Sequence, residues 1–416
     1  MNKTILLFAL IFWVNLVFAQ QKEDKIIIGT IDSVQSNILG EKRKLWVYVH
    51  DEDTNSIFSK QQYPVVYLLD GNSHFHSVVG VIHQLSRNMV CPKMIVVGIL
   101  NTDRTRDLTP THIDAEPPYY VSSADTTFYK TSGGGENFIA FIEKELMPHI
   151  EAKYKTVPYK MLIGHSYGGL AVMQTFVHHN NLFNTYISID PSMHWDNQKL
   201  MKQAQKVLAG KRFEGKSLYL GIANTMDKDM DIKKVPKDTT LNTNIIRPIL
   251  ALHTSFEQNK RNGIKYKGKY YADDTHSSVP LITTYDALRF IFDFYPLKLT
   301  MKDYTDSTVD LADKYQKHFI EISKQIGYTV KPDEAEMNYT GYDFLDQKHL
   351  SKAKSFFKMN IDNYPESFNV YSSMGDFYIA IDDKTKAIEF YTKALTIKDY
   401  PSTRKKLDKL KTNKTE

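Results

Sequence analysis

Cysteine is almost missing: Cys91 is the only one in 416 residues. A single thiol excludes an intramolecular disulfide framework and a cysteine-rich zinc site. A surplus of one charge is nearly missing too, since 53 basic residues stand against 48 acidic ones for a formal +5. The segment Ser402–Glu416 alone contributes +4, with Arg404, Lys405, Lys406, Lys409, Lys411 and Lys414 against Asp408 and Glu416. Nothing in that balance makes a basic face for nucleic acid; the excess reads as a short basic tail over 402–416. Long apolar runs are scarce as well. The longest, Ile5–Phe18, is about 14 residues, short of the ~20 that span a bilayer. What is present, 42% hydrophobic and 24% charged residues, suits one large core and a smaller second unit.

Lys3 precedes that apolar run, which ends in Val17-Phe18-Ala19-Gln20 with small or short residues at the −3 and −1 positions. This is the pattern of a cleaved secretory signal peptide over residues 1–19, and it leads to the expectation of a secreted or periplasmic protein with no membrane span. From about residue 25 to 300, short β-rich runs alternate with helical spacing. Val65–Leu69, Met94–Ile99, Tyr159–Ile163, Tyr186–Ile189 and Ser217–Ile222 read as strands, most of them buried on both faces. Phe138–Ile150, Leu170–His178, Ile245–Glu257 and Thr284–Phe294 read as helices. The alternation predicts a mostly parallel α/β sheet covered by helices over residues 20–300.

After Pro296 the pattern becomes helical. Asp303–Ile326 reads as one amphipathic helix within a connector over 301–333. Residues 334–401 repeat with a period of 34: Gly341, Ala353 and Phe357 return as Gly375, Ala387 and Tyr391. A small residue opposite a large one at fixed helical offsets is the logic of tetratricopeptide repeats, and two copies form a small all-α domain that must dock on its neighbours. Tyr371, Met374, Tyr378 and Ala394 complete the second copy; Thr340 and Asn360 depart from the pattern in the first.

Chemistry concentrates in Lys160–Leu170. It reads as strand, Gly164-His165-Ser166-Tyr167-Gly168, helix. A serine at such a junction stands on a sharp turn with its hydroxyl clear of the sheet, and the glycines on either side remove side chains that would collide. Serine needs a base, and in hydrolases of this design the histidine comes last in the chain. His276, in the loop Lys269–Pro280, fits; His253 lies inside a helical pattern. The third member is expected in the acidic loop after Ser217–Ile222, where Asp227 is the first candidate and Asp229 and Asp231 follow. Asn224 stands nearest the strand end, but an amide cannot stabilise an imidazolium. For an oxyanion hole the backbone N–H groups of Tyr167 and Asn72 are the candidates, with Gly71 admitting the backbone close to a substrate. His74 and His76 follow Asn72, but no third metal ligand accompanies them and no metal is expected. Arg104 lies where a loop leaves a sheet strand and is a candidate for an anionic or catecholate oxygen, with a structural ion pair at Arg106–Asp107 as the bland alternative. His194 and Trp195 are candidates for lining the substrate pocket.

Four motifs in order, Tyr67–Gly71, Val97–Pro110, Gly164–Gly169 and Asp190-Pro191-Ser192-Met193-His194-Trp195-Asp196, resemble the putative esterase family over residues 25–296. This is the esterase D branch of the α/β-hydrolases, with ferric enterobactin esterases, feruloyl esterases and secreted mycolyltransferases among its members. The resemblance implies a serine carboxylic-ester hydrolase that needs no cofactor, with Ser166 as nucleophile, His276 as base, and amide donors at Asn72 and Tyr167. The family usually carries Asp or Glu near position 224, so this chain is either a Ser–His dyad or uses a displaced aspartate. A small-molecule or glycan-linked ester is the implied substrate. Two other readings remain at this stage: an acyltransferase of the same family, and a degenerate hydrolase domain that presents the repeats to a protein partner.

Overall fold

The computed structural model describes residues 26–50, 57–114 and 129–412, so the expected signal peptide lies outside the described residues. Eight strands form one sheet: β1 (Thr30–Ser36), β2 (Glu41–Tyr48), β3 (Tyr63–Leu68), β4 (Ile95–Ile99), β5 (Thr156–His165), β6 (Thr185–Ile189), β7 (Ser217–Ala223) and β8 (Lys265–Tyr271). Their spatial order is β1-β2-β4-β3-β5-β6-β7-β8. Only the pairs β1/β2 and β2/β4 are antiparallel; every other pair is parallel. The strands β4 and β6 are buried at every residue, as the continuous apolar runs require, whereas β1 at the edge is buried only at Val34 and Ser36. Because successive side chains point to opposite faces, Val66 and Tyr67 feed two different cores.

The helices over the sheet are α1 (Gly71–Arg87), α2 (Arg104–Leu108), α3 (Gly135–Phe141), α4 (Met147–Lys153), α5 (Tyr167–His178), α6 (Trp195–Gly210), α7 (Ile246–Gln258) and α8 (Val279–Ile291). Three were not foreseen, and one of them is the short α2, where Arg104 was placed in a loop. The stretch after Asp70 that carries His74 and His76, given no helix from the sequence, is the long helix α1, whose buried face is Phe75, Val78, Val79, Ile82 and Leu85. Helix α6 is the third; Trp195 stands at its start, before a left-handed turn at Asp196, Asn197 and Gln198.

The carboxyl-terminal region is all helical: α9 (Met301–Thr305), α10 (Leu311–Ile326), α11 (Glu334–Asp346), α12 (Leu350–Asn363), α13 (Phe368–Ala380), α14 (Lys384–Ile397) and α15 (Pro401–Thr412). The single helix expected over Asp303–Ile326 is two. Asp306 turns its carboxylate onto the Thr308 N–H at 2.9 Å, and Asp310 caps a new helix through the Asp313 N–H at 3.1 Å. At the positions related by 34 residues, a Cβ on Gly341 would run into Phe357 and one on Gly375 into Tyr391, so both small-to-large pairs are real helix–helix contacts. Residues 402–412, read as a tail, belong to α15: Leu407 and Thr403 are buried, and Thr403 Oγ1 pairs with Ser372 Oγ at 3.0 Å. Their charge is that of an amphipathic end helix.

The two parts share one core. Tyr159, Phe292 and Tyr295 of the sheet unit cluster with Leu311, Phe319 and Phe356. The Ser59 N–H donates to Glu334 at 2.8 Å, and His318 Nε2 bonds the Tyr295 carbonyl at 2.8 Å. A cavity of about 490 Å³ lies along this seam, lined by Tyr63, Lys93, Val157, Tyr295, Tyr328 and Glu336. Among the described residues no helix is long and apolar enough to cross a membrane.

Candidate active site

Three residues follow directly on parallel strands and share a left-handed backbone: Asp70 (φ 52°), Ser166 (φ 62°) and Asp190 (φ 39°). They occupy the carboxyl-terminal edge of neighbouring strands β3, β5 and β6, where open α/β sheets bind ligands. Ser166 is the sharpest, with ψ −117° between the end of β5 and the start of α5. A non-glycine residue is costly there and persists only where its surroundings hold it. Here Ser166 N–H donates to Ile189 O at 3.0 Å and Ser192 N–H to Ser166 O at 3.1 Å. A Cβ on Gly164 would overlap the Gly168 backbone, which is why the turn needs that glycine.

His276 arrives from the loop between β8 and α8. Its Nδ1–H donates to Asp190 Oδ2 at 2.6 Å, and that carboxylate is fully buried. Asp190 Oδ1 also accepts the Ala223 N–H at 3.0 Å. The imidazole is thus held in the tautomer that leaves Nε2 for proton transfer. In the resting arrangement Ser166 Oγ pairs with Ser192 Oγ at 3.5 Å, and no hydrogen bond among the described residues joins it to His276. Such contacts often tighten only when a substrate is bound.

The acidic loop does not supply the partner of His276. Asp227 is exposed and accepts a hydrogen bond from Asn242; Asp231 accepts the Lys233 N–H at 2.9 Å; Asp229 is a left-handed turn residue. Asn224, at the place where a carboxylate would be usual, instead donates through Nδ2 to Ala272 O at 3.0 Å and through its N–H to Asp274 O at 2.8 Å. It anchors the loop that carries His276. Asp190 was missed because the acid was sought after β7, whereas the carboxylate at the end of β6 lies beside the strand that carries Ser166. A polar residue directly after the buried strand Tyr186–Ile189 was the available signal.

Asn72 and Tyr167 both lie in the first turn of a helix, where backbone N–H groups have no intrahelical partner. Gly71 has a different reason from the one expected: a Cβ there would lie 2.6 Å from the Gly98 carbonyl carbon, so the glycine lets α1 start against β4. Arg104 grips the buried Asp70 with two hydrogen bonds, Nε to Oδ1 at 2.7 Å and Nη2 to Oδ2 at 3.0 Å. Its Nη2 also reaches His165 O at 3.4 Å, and its plane lies over the Tyr167 ring at 5.1 Å. Arg106 pairs with Asp107 at 2.8 Å and with Glu41 at 2.7 Å, a structural ion pair.

His194 is buried beside the pair; burial and then the charge of His276 push its pKa down to about 4, against the pull of Asp190. Trp195 does not line an open pocket. It is 2% exposed, packs edge-on against Tyr167 at 5.3 Å, and donates its indole N–H to Thr111 O at 3.1 Å. It supports the elbow helix from beneath. His74 packs edge-on against His165 at 5.4 Å, and His76 lies against Trp46 at 5.8 Å.

The strand order, the strained serine turn after β5 and the histidine after β8 define an α/β-hydrolase. Residues 36–237 match the family described as "Putative esterase". The ferri-bacillibactin esterase BesA of Bacillus subtilis is 34% identical over 153 residues, covering 34% of this chain and 52% of that protein. The chain spans about half the length of the curated relatives it matches. The structure of an IroE-like serine hydrolase from Shewanella oneidensis superposes with a TM-score of 0.65 at 26% identity, over 80% of this chain and 98% of that one. An uncharacterised protein from Capnocytophaga ochracea, 18% identical with a TM-score of 0.54, shares the fold over 92% of this chain and 99% of its own.

Proposed function

We propose that the chain is a serine carboxylic-ester hydrolase that works through an acyl-enzyme on Ser166. The observation that carries this is the 2.6 Å bond between His276 Nδ1 and a carboxylate with no access to water, placed beside a strained serine turn. His276 Nε2 takes the proton of Ser166 as Oγ attacks the ester carbonyl. Asp190 stabilises the resulting imidazolium without itself becoming protonated. The oxyanion is met by the amides of Asn72 and Tyr167, with the Arg104 guanidinium as a fixed positive charge alongside. The imidazolium returns its proton to the departing alkoxide, and a water activated by the same nitrogen then releases the acid and restores Ser166.

The substrate class is read from relatives whose names specify siderophore esters. The leader-like pattern of residues 1–19 supports a reaction outside the cytoplasm, and the Gly341–Phe357 and Gly375–Tyr391 contacts support a tetratricopeptide-like reading of the paired hairpins. Purified protein is expected to hydrolyse a short p-nitrophenyl ester and to be labelled by a fluorophosphonate. Ser166→Ala lowers kcat by roughly 10⁴-fold or more and abolishes labelling. An unchanged rate in that variant overturns the reading. Turnover of a catecholate trilactone in preference to acetylated xylan and methyl ferulate supports the siderophore assignment; the reverse preference refutes it.

A further inference from the structure

Asp70 takes no part in the proton transfers above, yet three side-chain bonds converge on its carboxylate. Arg104 makes two of them, and Asn101 Nδ2 donates the third to Oδ1 at 2.7 Å. The residue is 3% exposed and left-handed, and both conditions are costs that a plain turn residue would avoid.

The carboxylate stands between the two helix starts that carry the candidate oxyanion amides. On one side Asp70 opens α1: its carbonyl accepts the Ser73 and His74 N–H groups at 2.9 and 3.1 Å. The Asn72 N–H lies two residues on, in the turn whose amides have no intrahelical partner. Asn101 Nδ2, already bonded to Asp70, also reaches Asn72 Oδ1 at 3.4 Å. On the other side a Cβ on Gly168 would lie 3.0 Å from Asp70 Oδ2, so the carboxylate packs against the first turn of α5, which carries the Tyr167 N–H. Through Arg104 it is tied to the His165 carbonyl and to the face of the Tyr167 ring as well. Charge alone argues against this placement, because a carboxylate opposes any negative charge that grows at those amides. Paired bonds from a guanidinium offset that charge and fix its geometry together.

We infer that Asp70 is a positioning residue: bonded to Arg104 and Asn101, it sets the spacing of the Asn72 and Tyr167 amides that receive the oxyanion. This rests on the esterase reading above. Asp70→Asn keeps the shape of the side chain but cannot accept both Arg104 bonds. By charge alone that variant would turn esters over at the wild-type rate or faster. As the loss of a positioning residue it lowers kcat by roughly 100-fold, the scale of one displaced oxyanion donor, with KM within about threefold. The decisive readout is the rate on an aryl oxo ester divided by the rate on its thiono counterpart. Sulfur is larger than oxygen and a poorer acceptor, so it gains little from a well-spaced pair of amides. The ratio therefore reports the oxyanion hole and does not depend on how much of a sample is folded. It is expected to fall roughly tenfold or more in Asp70→Asn, and in the same direction by less in Asn101→Ala. An unchanged ratio in Asp70→Asn, or oxo-ester turnover at or above the wild-type rate, overturns the inference. If Asp70→Asn does not fold, Asn101→Ala decides, and an unchanged ratio there overturns it. Failure of the wild-type protein to hydrolyse esters or to be labelled by a fluorophosphonate overturns the esterase reading instead.

Discussion

Asp190 and Asp227 are chemically the same side chain in opposite surroundings. Asp190 is sealed from water between two strand ends, where a charge interacts strongly with its one partner; Asp227 is exposed, where the same interaction is screened. Asp190→Asn is therefore expected to lower kcat on a p-nitrophenyl ester by about 10⁴-fold, as loss of the correct imidazole tautomer does elsewhere. Asp227→Asn is expected to stay within about twofold of wild type. The opposite ranking in steady-state assays would return the acid to the loop after β7. Spacing along the chain made Ser166 and His276 legible, because a glycine-flanked serine and a late histidine are local signals. The partner of His276 was not legible, since it is chosen by which strand ends lie side by side, and Asn224 occupied the expected place while serving as a loop anchor.

At the scale of elements, the glycines divide by what surrounds them. Gly164 is pressed against the Gly168 backbone, while Gly80 in the middle of α1 has open space where a Cβ would be. Gly164→Ala should destabilise the protein by about 1–3 kcal/mol through overpacking and disturb the elbow. Gly80→Ala should stabilise it by about 0.5–1 kcal/mol by removing a flexible residue from a helix interior. Denaturant titrations of both variants check this, and a neutral Gly164→Ala would mean the turn can relax. Strands were legible wherever apolar residues ran unbroken. Helix α1 was hidden because the polar His74 and His76 and the flexible Gly80 break up its sequence, although Phe75, Val78, Val79, Ile82 and Leu85 keep helical spacing on the buried face. Helix α15 was read as a tail because lysines dominate it, but Leu407 and Thr403, the latter bonded to Ser372, give it a buried side.

For the molecule as a whole, the buried histidines at the site link stability to pH. His165 and His194 both have folded pKa values lowered from 6.5 to about 4, chiefly by burial. The unfolded chain therefore binds protons between pH 6.5 and 4 that the folded chain refuses. Their contribution is fully present above 6.5 and is lost as pH falls through that window, by at most about 1.4 kcal/mol per pH unit for each histidine. Urea midpoints measured from pH 7.5 down to 4 should fall accordingly, and a His165→Phe/His194→Phe double variant should show a flatter profile. A profile as steep as wild type in that variant would assign the acid sensitivity to other groups.

The helical region meets the sheet where β3 and β5 begin, at Tyr63 and Val157, while Ser166 and Asp190 stand where β5 and β6 end. At about 3.3 Å per residue, the ten residues of β5 hold these two ends some 30 Å apart. Anything that grasps the carboxyl-terminal helices takes hold of the molecule by its handle. The strand ends that carry Ser166 and Asp190 still point the other way, clear of whatever is held.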